Sequence, residues 1–213
     1  MKIIGTRFLK IKSQRKVLKN IPINNAEILN HLNTFLTKDC IEDKLSYAKG
    51  WDGSNYDDIL EYATSDDTLN NLLMDRSSYT KYSFNKIFGE TEAGEYFKNT
   101  ISLMLKPDRY YTSAYIPKGF VGWHADDDIA GRYIMFSYSM GDGFFKYRDP
   151  YTNTIHTFPD IHHKWMCRIG VMGKTEKDAV WHCAAAFNTR YTFIFMYDNE
   201  DNYNNAVDAL MRV

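Results

Sequence analysis

The spacing of apolar side chains changes near residue 106. Before that point, apolar residues recur mostly at the three-to-four-residue spacing of one helix face. This spacing predicts four helices: residues 26–36 after a capping Asn24 or Asn25, Tyr56–Ala63, Asp67–Met74 and Gly94–Leu105. Met1–Val17 instead alternates apolar and basic residues, as the edge strands of a sheet do. Residues 1–106 are therefore predicted to form a mostly helical layer with N-terminal edge strands.

From residue 107 the pattern changes to short apolar runs separated by turn residues. Eight strands are predicted there: Tyr110–Ile116, Gly122–Ala125, Tyr133–Met140, Gly143–Tyr147, Thr154–Phe158, Trp165–Met172, Ala179–Cys183 and Tyr191–Tyr197. Such strands suit a jelly roll, a double-stranded β-helix in which two sheets cover each other. We expect a single α+β domain over residues 1–213, with the jelly-roll core at 107–198. The tail at 199–213 is predicted to end in a helix, Ala206–Met211.

Composition and charge narrow the class of protein. The 213 residues carry 26 basic and 27 acidic side chains, so there is no overall basic field for nucleic acid. No apolar run is long enough to predict a membrane span, and the first residues lack the apolar core of a signal peptide. The three scattered cysteines, Cys40, Cys167 and Cys183, are typical of reduced thiols inside a cell. We expect a soluble cytoplasmic protein, and its oligomeric state stays open.

Two histidines and one aspartate form a candidate metal site. His124 and Asp126 are two residues apart, so on a strand they project from the same face. His182 follows 58 residues after His124. Two imidazoles and one carboxylate can occupy one face of an octahedral metal, the arrangement associated with non-haem Fe(II) oxygenases. Further along, Arg190 and Thr192 share a strand face and offer a guanidinium and a hydroxyl to one carboxylate.

This pattern resembles the Fe(II)- and 2-oxoglutarate-dependent dioxygenases, whose signature is H-x-D, a distal His and then an Arg or Lys. The resemblance covers about Ile101 to Tyr197. It implies that the iron is held by His124, Asp126 and His182. It also implies that 2-oxoglutarate is held by Arg190, Thr192 and Tyr115. The implied activity is an oxidoreductase that uses O₂, converts 2-oxoglutarate into succinate and CO₂, and hydroxylates or oxidatively demethylates a substrate.

The substrate class is suggested by two shorter motifs. Tyr115-Ile116-Pro117 and the run Trp123–Asp128 are similar to segments of the nucleic-acid demethylase branch, the AlkB-like enzymes. The chain departs from that branch at Thr192 and Met196, where the branch has Asn and a second Arg, and at Ser113, where it has Asn. A nucleobase or nucleic acid is favoured, and a protein side chain, as in prolyl hydroxylases, or a small molecule stays open.

Other interpretations compete with this one. A metal-binding jelly roll without oxygenase activity, such as a cupin-like binding or structural protein, would not need Arg190 beside the metal. Arg168 lies inside an apolar strand, where it could be buried against a carboxylate, and is a rival for the co-substrate role. The adjacent His162 and His163 would point to opposite faces of a strand, so a shared metal is not expected. Cys183 is expected to point away from the iron as a small core residue.

Overall fold

The computed structural model describes residues 17–38, 46–47, 55–74, 83–87, 92–115, 117–125, 131–173 and 178–213. Its helices are α1 (Ala26–Phe35), α2 (Tyr56–Thr64), α3 (Asp66–Met74), α4 (Glu92–Phe97), α5 (Leu103–Leu105) and α6 (Glu200–Met211), with a π-helical turn at Lys98–Ser102 between α4 and α5. Its strands are β1 (Leu18–Ile21), β2 (Ser46–Tyr47), β3 (Ser83–Ile87), β4 (Arg109–Tyr115), β5 (Gly119–His124), β6 (Gly131–Ser139), β7 (Gly143–Arg148), β8 (Ile155–Pro159), β9 (Trp165–Met172), β10 (His182–Ala186) and β11 (Arg190–Tyr197).

The strands form two antiparallel sheets, which confirms the predicted α+β fold class. The first sheet has the order β1-β9-β6-β11-β4, and the second has the order β5-β10-β7-β8. Strand β3 pairs with both β4 and β5 and so connects the two sheets, while β2 pairs with β3. Strands that are neighbours in space are often far apart in sequence, as expected for a jelly roll.

Residues of β11 show how the first sheet separates two environments. Side chains alternate along a strand, so Tyr191, Phe193 and Phe195 face one side while Arg190 and Thr192 face the other. The aromatic side packs against α1 and α4: the Phe193 ring lies 4.8 Å from Phe35 and 4.4 Å from Phe97, centroid to centroid. The polar side faces the second sheet and contributes to the cavity described below. Burial against the helices therefore fixes which side chains of β11 point inward.

The outer face of the second sheet is covered by α2 and α3. Leu69 of α3 packs in one cluster with Trp123 and Cys183, and Ala63 of α2 packs in another with Phe120. Helices thus cover both outer faces, and the facing sides of the two sheets enclose the remaining apolar cluster. No helix among the described residues combines the length and the apolar character needed to cross a membrane.

Side-chain caps set the starts of α1 and α6. Asn25 caps α1, because its side-chain oxygen accepts hydrogen bonds of 3.0 Å from the backbone nitrogens of Glu27 and Ile28. Asn199 caps α6 in the same way, with 2.7 Å to the nitrogen of Asp201. The tail helix consequently begins at Glu200 and not at Ala206 as predicted. Its first turns are largely exposed and polar, so hydrophobic spacing did not reveal them.

One predicted strand is misplaced. The prediction of Ala179–Cys183 is wrong in position, since β10 runs from His182 to Ala186 and is buried along its whole length between β5 and β7. A central strand that is covered on both faces lacks the alternation of apolar and polar residues that marks other strands. Its three alanines also made its hydrophobicity similar to that of the flanking residues. The remaining strand predictions overlap observed strands. The Met1–Val17 edge strands lie outside the described residues apart from Val17, and the domain bounds at 106 and 198 stay predictions.

Candidate functional site

A β-bulge positions the first histidine. On β5 and β10, His124 pairs with His182 and Val121 pairs with Ala184, so Gly122 and Trp123 together stand opposite Cys183. Residues three apart on a regular strand would face opposite sides, yet Val121 and His124 both line the same cavity. The extra residue re-aims His124 inward, which is a common use of bulges near functional sites.

The two histidine rings lie side by side with their orientation fixed by the backbone. Their centroids are 4.1 Å apart. Nδ1 of His124 lies 2.8 Å from the carbonyl oxygen of Gly122, and Nδ1 of His182 lies 2.9 Å from that of Val180. A carbonyl oxygen only accepts, so each Nδ1 carries a hydrogen, and in a neutral ring this leaves the lone pair on Nε2. This tautomer and this backbone anchor are those of metal-binding histidines.

Asp126, the expected third iron ligand, lies outside the described residues. Within the described residues, no group of three His, Cys, Asp or Glu side chains forms a metal site. Strand β5 ends at His124, and Asp126 follows two residues later in the chain. The three-residue ligand set therefore stays a prediction, and two of its three members, the histidine pair, are described.

The histidines share one cavity with the residues expected to bind 2-oxoglutarate. The cavity has a volume of about 220 Å³ and lies between the two sheets. Its polar lining includes His124, His182, Tyr115, Arg190 and Thr192. Its apolar walls are formed by side chains from both sheets: Val121, Met135, Phe145, Ala184 and Ile194. The structure thus places in one cavity all the described residues that were predicted to bind iron or 2-oxoglutarate.

Arg190 is fully buried and forms an ion pair that the sequence did not predict. Its Nε lies 3.0 Å from Oδ2 of Asp160, and the two side chains are 1% and 2% exposed. The N–H is not directed at that oxygen, so the pair is held by charge and not by a hydrogen bond. The guanidinium carbon also lies 5.1 Å from the centroid of the Tyr115 ring. Asp160 follows Phe158-Pro159 at the end of β8, and no sequence pattern marked it as functional.

Several buried polar atoms in this region lack hydrogen bonds. In the described part of the chain, Nε and Nη2 of Arg190 and Oγ1 of Thr192 have no hydrogen-bond partner. A buried polar group without a hydrogen bond costs about 1–3 kcal/mol, and for Arg190 the charge itself is offset by Asp160. A ligand carboxylate would satisfy both residues. The arrangement therefore fits an anion at the Arg190 end of the cavity.

Tyr115 stays a neutral hydroxyl at this site. Burial raises the pKa of its phenol, and the neighbouring Arg190 charge lowers that pKa by less. Tyr115 stands directly opposite Arg190 on β4 and β11. It can therefore donate a hydrogen bond to an acceptor in the cavity at ordinary pH.

The other candidate residues lie elsewhere. His162 pairs with Asp142 at 2.8 Å on the exposed surface. The His156 ring stacks on Tyr147 with centroids 4.8 Å apart. Cys183 points to the outer side of the second sheet, as expected, and its pKa is raised by burial. These side chains are all occupied by packing or surface contacts.

Comparison with known proteins yields matches among solved structures alone. No protein-family model and no curated protein matches the chain. The chain is similar to OsALKBH1, at 16% identity and TM-score 0.32, over 42% of this chain and 49% of that one. It is also similar to an oxidoreductase of the 2OG-Fe(II) oxygenase family from Burkholderia pseudomallei, at 13% identity and TM-score 0.34, over 48% of each chain. This chain thus spans about half the length of both proteins.

A third similar structure covers most of the chain. It is a prolyl hydroxylase in complex with a hypoxia inducible factor oxygen degradation domain peptide fragment from Trichoplax adhaerens, at 11% identity and TM-score 0.40. The alignment covers 88% of this chain and 86% of that one. Of these three proteins, the one from Burkholderia pseudomallei is named as a member of the family that the sequence motifs resemble.

Proposed function

We propose that this protein is an Fe(II)- and 2-oxoglutarate-dependent dioxygenase. One observation carries the proposal: two backbone-anchored histidines line the same cavity as a buried arginine, whose Nε and Nη2 have no hydrogen-bond partner among the described residues. This chemistry requires two features together: imidazoles that bind the metal and a cation that binds a carboxylate of the co-substrate. The reaction also needs ferrous iron and 2-oxoglutarate, which the cell interior supplies.

The residues present fit the metal. His124 and His182 would bind Fe(II) through Nε2, and Asp126 would complete the set by the sequence motif. Two neutral imidazoles and one carboxylate suit Fe(II) and leave positions for other ligands. Bound iron with 2-oxoglutarate and O₂ supplies the oxidation of a substrate C–H bond, with succinate and CO₂ as the co-products.

The rest of the cavity would bind 2-oxoglutarate and exclude water. Arg190 would take the distal carboxylate through a charge-assisted contact, and Thr192 would donate its hydroxyl to the same group. Tyr115, kept neutral by burial, would donate a further hydrogen bond. Met135 and Phe145 cover the site with apolar surface, which strengthens each polar contact inside.

Among substrate classes we favour a nucleobase. The motifs around Tyr115 and Trp123 support this choice, although Trp123 itself is buried on the outer side of the second sheet. Tyr111 lines the same cavity and is 53% exposed, so its ring is placed to stack on a planar group at the entrance. A protein side chain or a small metabolite is the alternative. Succinate release tested with single-stranded DNA, peptides and metabolite pools would separate these classes.

The decisive experiment is anaerobic addition of Fe(II) and 2-oxoglutarate, followed by visible spectroscopy. We expect a metal-to-ligand charge-transfer band that His182→Ala abolishes and that Arg190→Ala weakens through lost co-substrate affinity. His156→Ala is a matched control, because that ring stacks on Tyr147 outside the cavity lining, and it should leave the band unchanged. A folded wild-type protein without the band would contradict the proposal.

The same experiment addresses the rival function of a metal-binding barrel without oxygenase activity. The ion pair between Arg190 and Asp160 favours that rival, because it already gives the guanidinium a counter-ion. In the rival case Fe(II) would bind to the histidines and 2-oxoglutarate would not change its spectrum. Asp126→Ala should abolish turnover in the dioxygenase while leaving the unfolding midpoint within a few degrees of wild type. Retained turnover would remove Asp126 from the iron site.

A further inference from the structure

Two arginines and one aspartate are buried together between the sheets. Arg190 and Arg168 are 0% and 1% exposed, and the Asp160 side chain is 2% exposed. With their ordinary charges, two guanidinium groups and one carboxylate leave one positive charge uncompensated within this charge triad. An uncompensated charge is costly in a dry interior, so the triad favours one added anion.

Arg168 is held in place by contacts from both sheets. Its Nη1 donates a 3.0 Å hydrogen bond to Oγ of Ser137 on β6. Its guanidinium carbon lies 5.6 Å from the Phe145 ring and 5.1 Å from the Phe158 ring on the facing sheet. Among the described residues, its Nε and Nη2 have no hydrogen-bond partner. Arg168 is therefore a fixed buried cation with unused hydrogen-bonding capacity.

Arg168 lies within electrostatic reach of the other two members. Burial first, and then the Arg190 charge, lower the pKa of Arg168 to about 10, while Asp160 acts in the opposite direction. The strand register agrees: Ser137, which binds Arg168, pairs with Thr192, two residues from Arg190 on the same face of β11. Arg168 and Asp160 are thus neighbours of Arg190 behind the cavity lining, and Arg168 is not part of the predicted motif.

Asp160 is positioned by backbone packing. Its nitrogen donates a 2.9 Å hydrogen bond to the carbonyl of Gly143 on β7. A Cβ atom at Gly143 would lie 2.5 Å from Asp160 Oδ2 and 2.8 Å from the Ala185 carbonyl oxygen. The absence of a side chain at Gly143 therefore leaves the space that the Asp160 carboxylate occupies beside Arg190.

We propose that the net charge of this triad, set by Asp160 and Arg168, determines how tightly the cavity binds a carboxylate. Arg190 contacts the ligand, while Asp160 and Arg168 are positioning residues that act through the charge they place around it. Asp160 offsets one of the two arginines, so one positive charge remains for one ligand carboxylate. The inference rests on the proposed binding of 2-oxoglutarate and adds two residues to it.

The test varies the charge while holding the ligand constant. Binding of 2-oxoglutarate with Mn(II) in place of Fe(II) is measured by calorimetry for wild type, Arg168→Gln, Arg168→Lys, Asp160→Asn and the Arg168→Gln/Asp160→Asn double variant. One buried unit charge next to the residue that binds the ligand changes affinity by roughly tenfold in a partly screened interior. We expect Arg168→Gln to bind about tenfold more weakly and Asp160→Asn about tenfold more tightly. Arg168→Lys and the double variant, which keep the wild-type charge, should bind within about threefold of wild type.

Controls separate charge from structure. Arg132→Gln removes a positive charge from the adjacent strand β6, where Arg132 pairs with the exposed Glu200, and it should leave affinity unchanged. If Asp160→Asn does not fold, Arg168→Gln and Arg168→Lys still decide the question. Unchanged affinity in Arg168→Gln, or a double variant as weak as Arg168→Gln alone, would overturn the proposal.

A second ligand distinguishes this inference from the proposed function. Glutarate has two carboxylates but no keto group, so its binding without metal reports on the charge triad alone. If glutarate follows the expected order of variants while 2-oxoglutarate gains nothing from Mn(II), the charge inference holds and the dioxygenase proposal fails. If 2-oxoglutarate binds with Mn(II) but no variant changes its affinity, the dioxygenase proposal stands and the charge inference fails.

Discussion

At the scale of single residues, we expect the hydroxyl of Thr192 to favour ligand binding at a cost in stability. Its hydroxyl is buried in a side chain that is 4% exposed and has no hydrogen-bond partner in the described part of the chain. We expect Thr192→Val to raise the free energy of unfolding without ligand by about 1 kcal/mol, because it removes an unpaired buried hydroxyl. The same change should weaken 2-oxoglutarate binding roughly fivefold, since a hydrogen bond to the carboxylate is lost. Urea unfolding and calorimetry measure the two effects.

Thr192→Ser is the matched control because it keeps the hydroxyl and removes only a methyl group. It should bind 2-oxoglutarate like wild type and unfold slightly more easily, by about 1 kcal/mol for the lost buried methyl. Equal losses of affinity in the serine and valine variants would show that Thr192 acts through packing. The opposite effects of valine on stability and on binding are therefore the specific signature of a ligand-binding hydroxyl.

At the scale of elements, we expect the bulge of β5 to depend on the contacts that Trp123 makes with α2 and α3. Trp123 is fully buried, and its Nε1 donates a 2.8 Å hydrogen bond to the carbonyl of Ser65 between α2 and α3. Trp165 is also buried, but its Nε1 has no hydrogen-bond partner among the described residues. We expect Trp123→Phe to lower the free energy of unfolding by about 1–2 kcal/mol more than Trp165→Phe, because only the first change breaks a buried hydrogen bond.

Chemical unfolding of the two variants measures this difference. The comparison is matched because both substitutions replace an indole ring with a phenyl ring and so remove a similar apolar surface. Trp123→Phe should also reduce Mn(II) affinity, since the bulge that directs His124 inward loses its anchor on α2 and α3. Trp165 lies in the cluster between the first sheet and its helices, so its variant should keep wild-type metal affinity. Equal stability losses in the two variants would argue that the Ser65 contact contributes nothing.

The helices and strands also differed in how well the sequence predicted them. Helix α1 was predictable because its apolar spacing and its Asn25 cap agree. Strand β10 was not, since burial on both faces removes the alternation that marks a strand, and its alanines resemble the residues around it. The bulge at Gly122 and Trp123 could not be predicted at all, because it is defined by a partner strand some 60 residues away.

At the scale of the whole molecule, both described cysteines report on global opening. Cys167 lies between the first sheet and its helices, and Cys183 lies between the second sheet and α3. Burial raises the pKa of both thiols, so at pH 8 they stay protonated and unreactive. We expect iodoacetamide to label both on the order of a hundredfold more slowly in native protein than in urea.

Peptide mapping by mass spectrometry follows the two sites separately from Cys40. Because the two cysteines lie on the outer sides of different sheets, similar protection at both would show that the sheets open together. Rapid labelling of Cys183 with Cys167 protected would mean that the α2–α3 layer detaches on its own. Added 2-oxoglutarate with Mn(II) should slow labelling at both sites, since a ligand that binds only the folded state stabilises it.

The sequence by itself determined the components of this protein: helical spacing before residue 106, short strands after it, and the chemistry of His124, His182, Arg190, Thr192 and Tyr115. Strand periodicity and residue chemistry are local properties, so they can be read without a partner. Only the tertiary structure decided that Asp160 pairs with Arg190, that Arg168 adds a second buried charge, and that Gly143 makes room for the carboxylate. These are contacts between different segments of the chain. Their effect on charge and binding depends on burial between the two sheets, which the sequence of a single strand does not reveal.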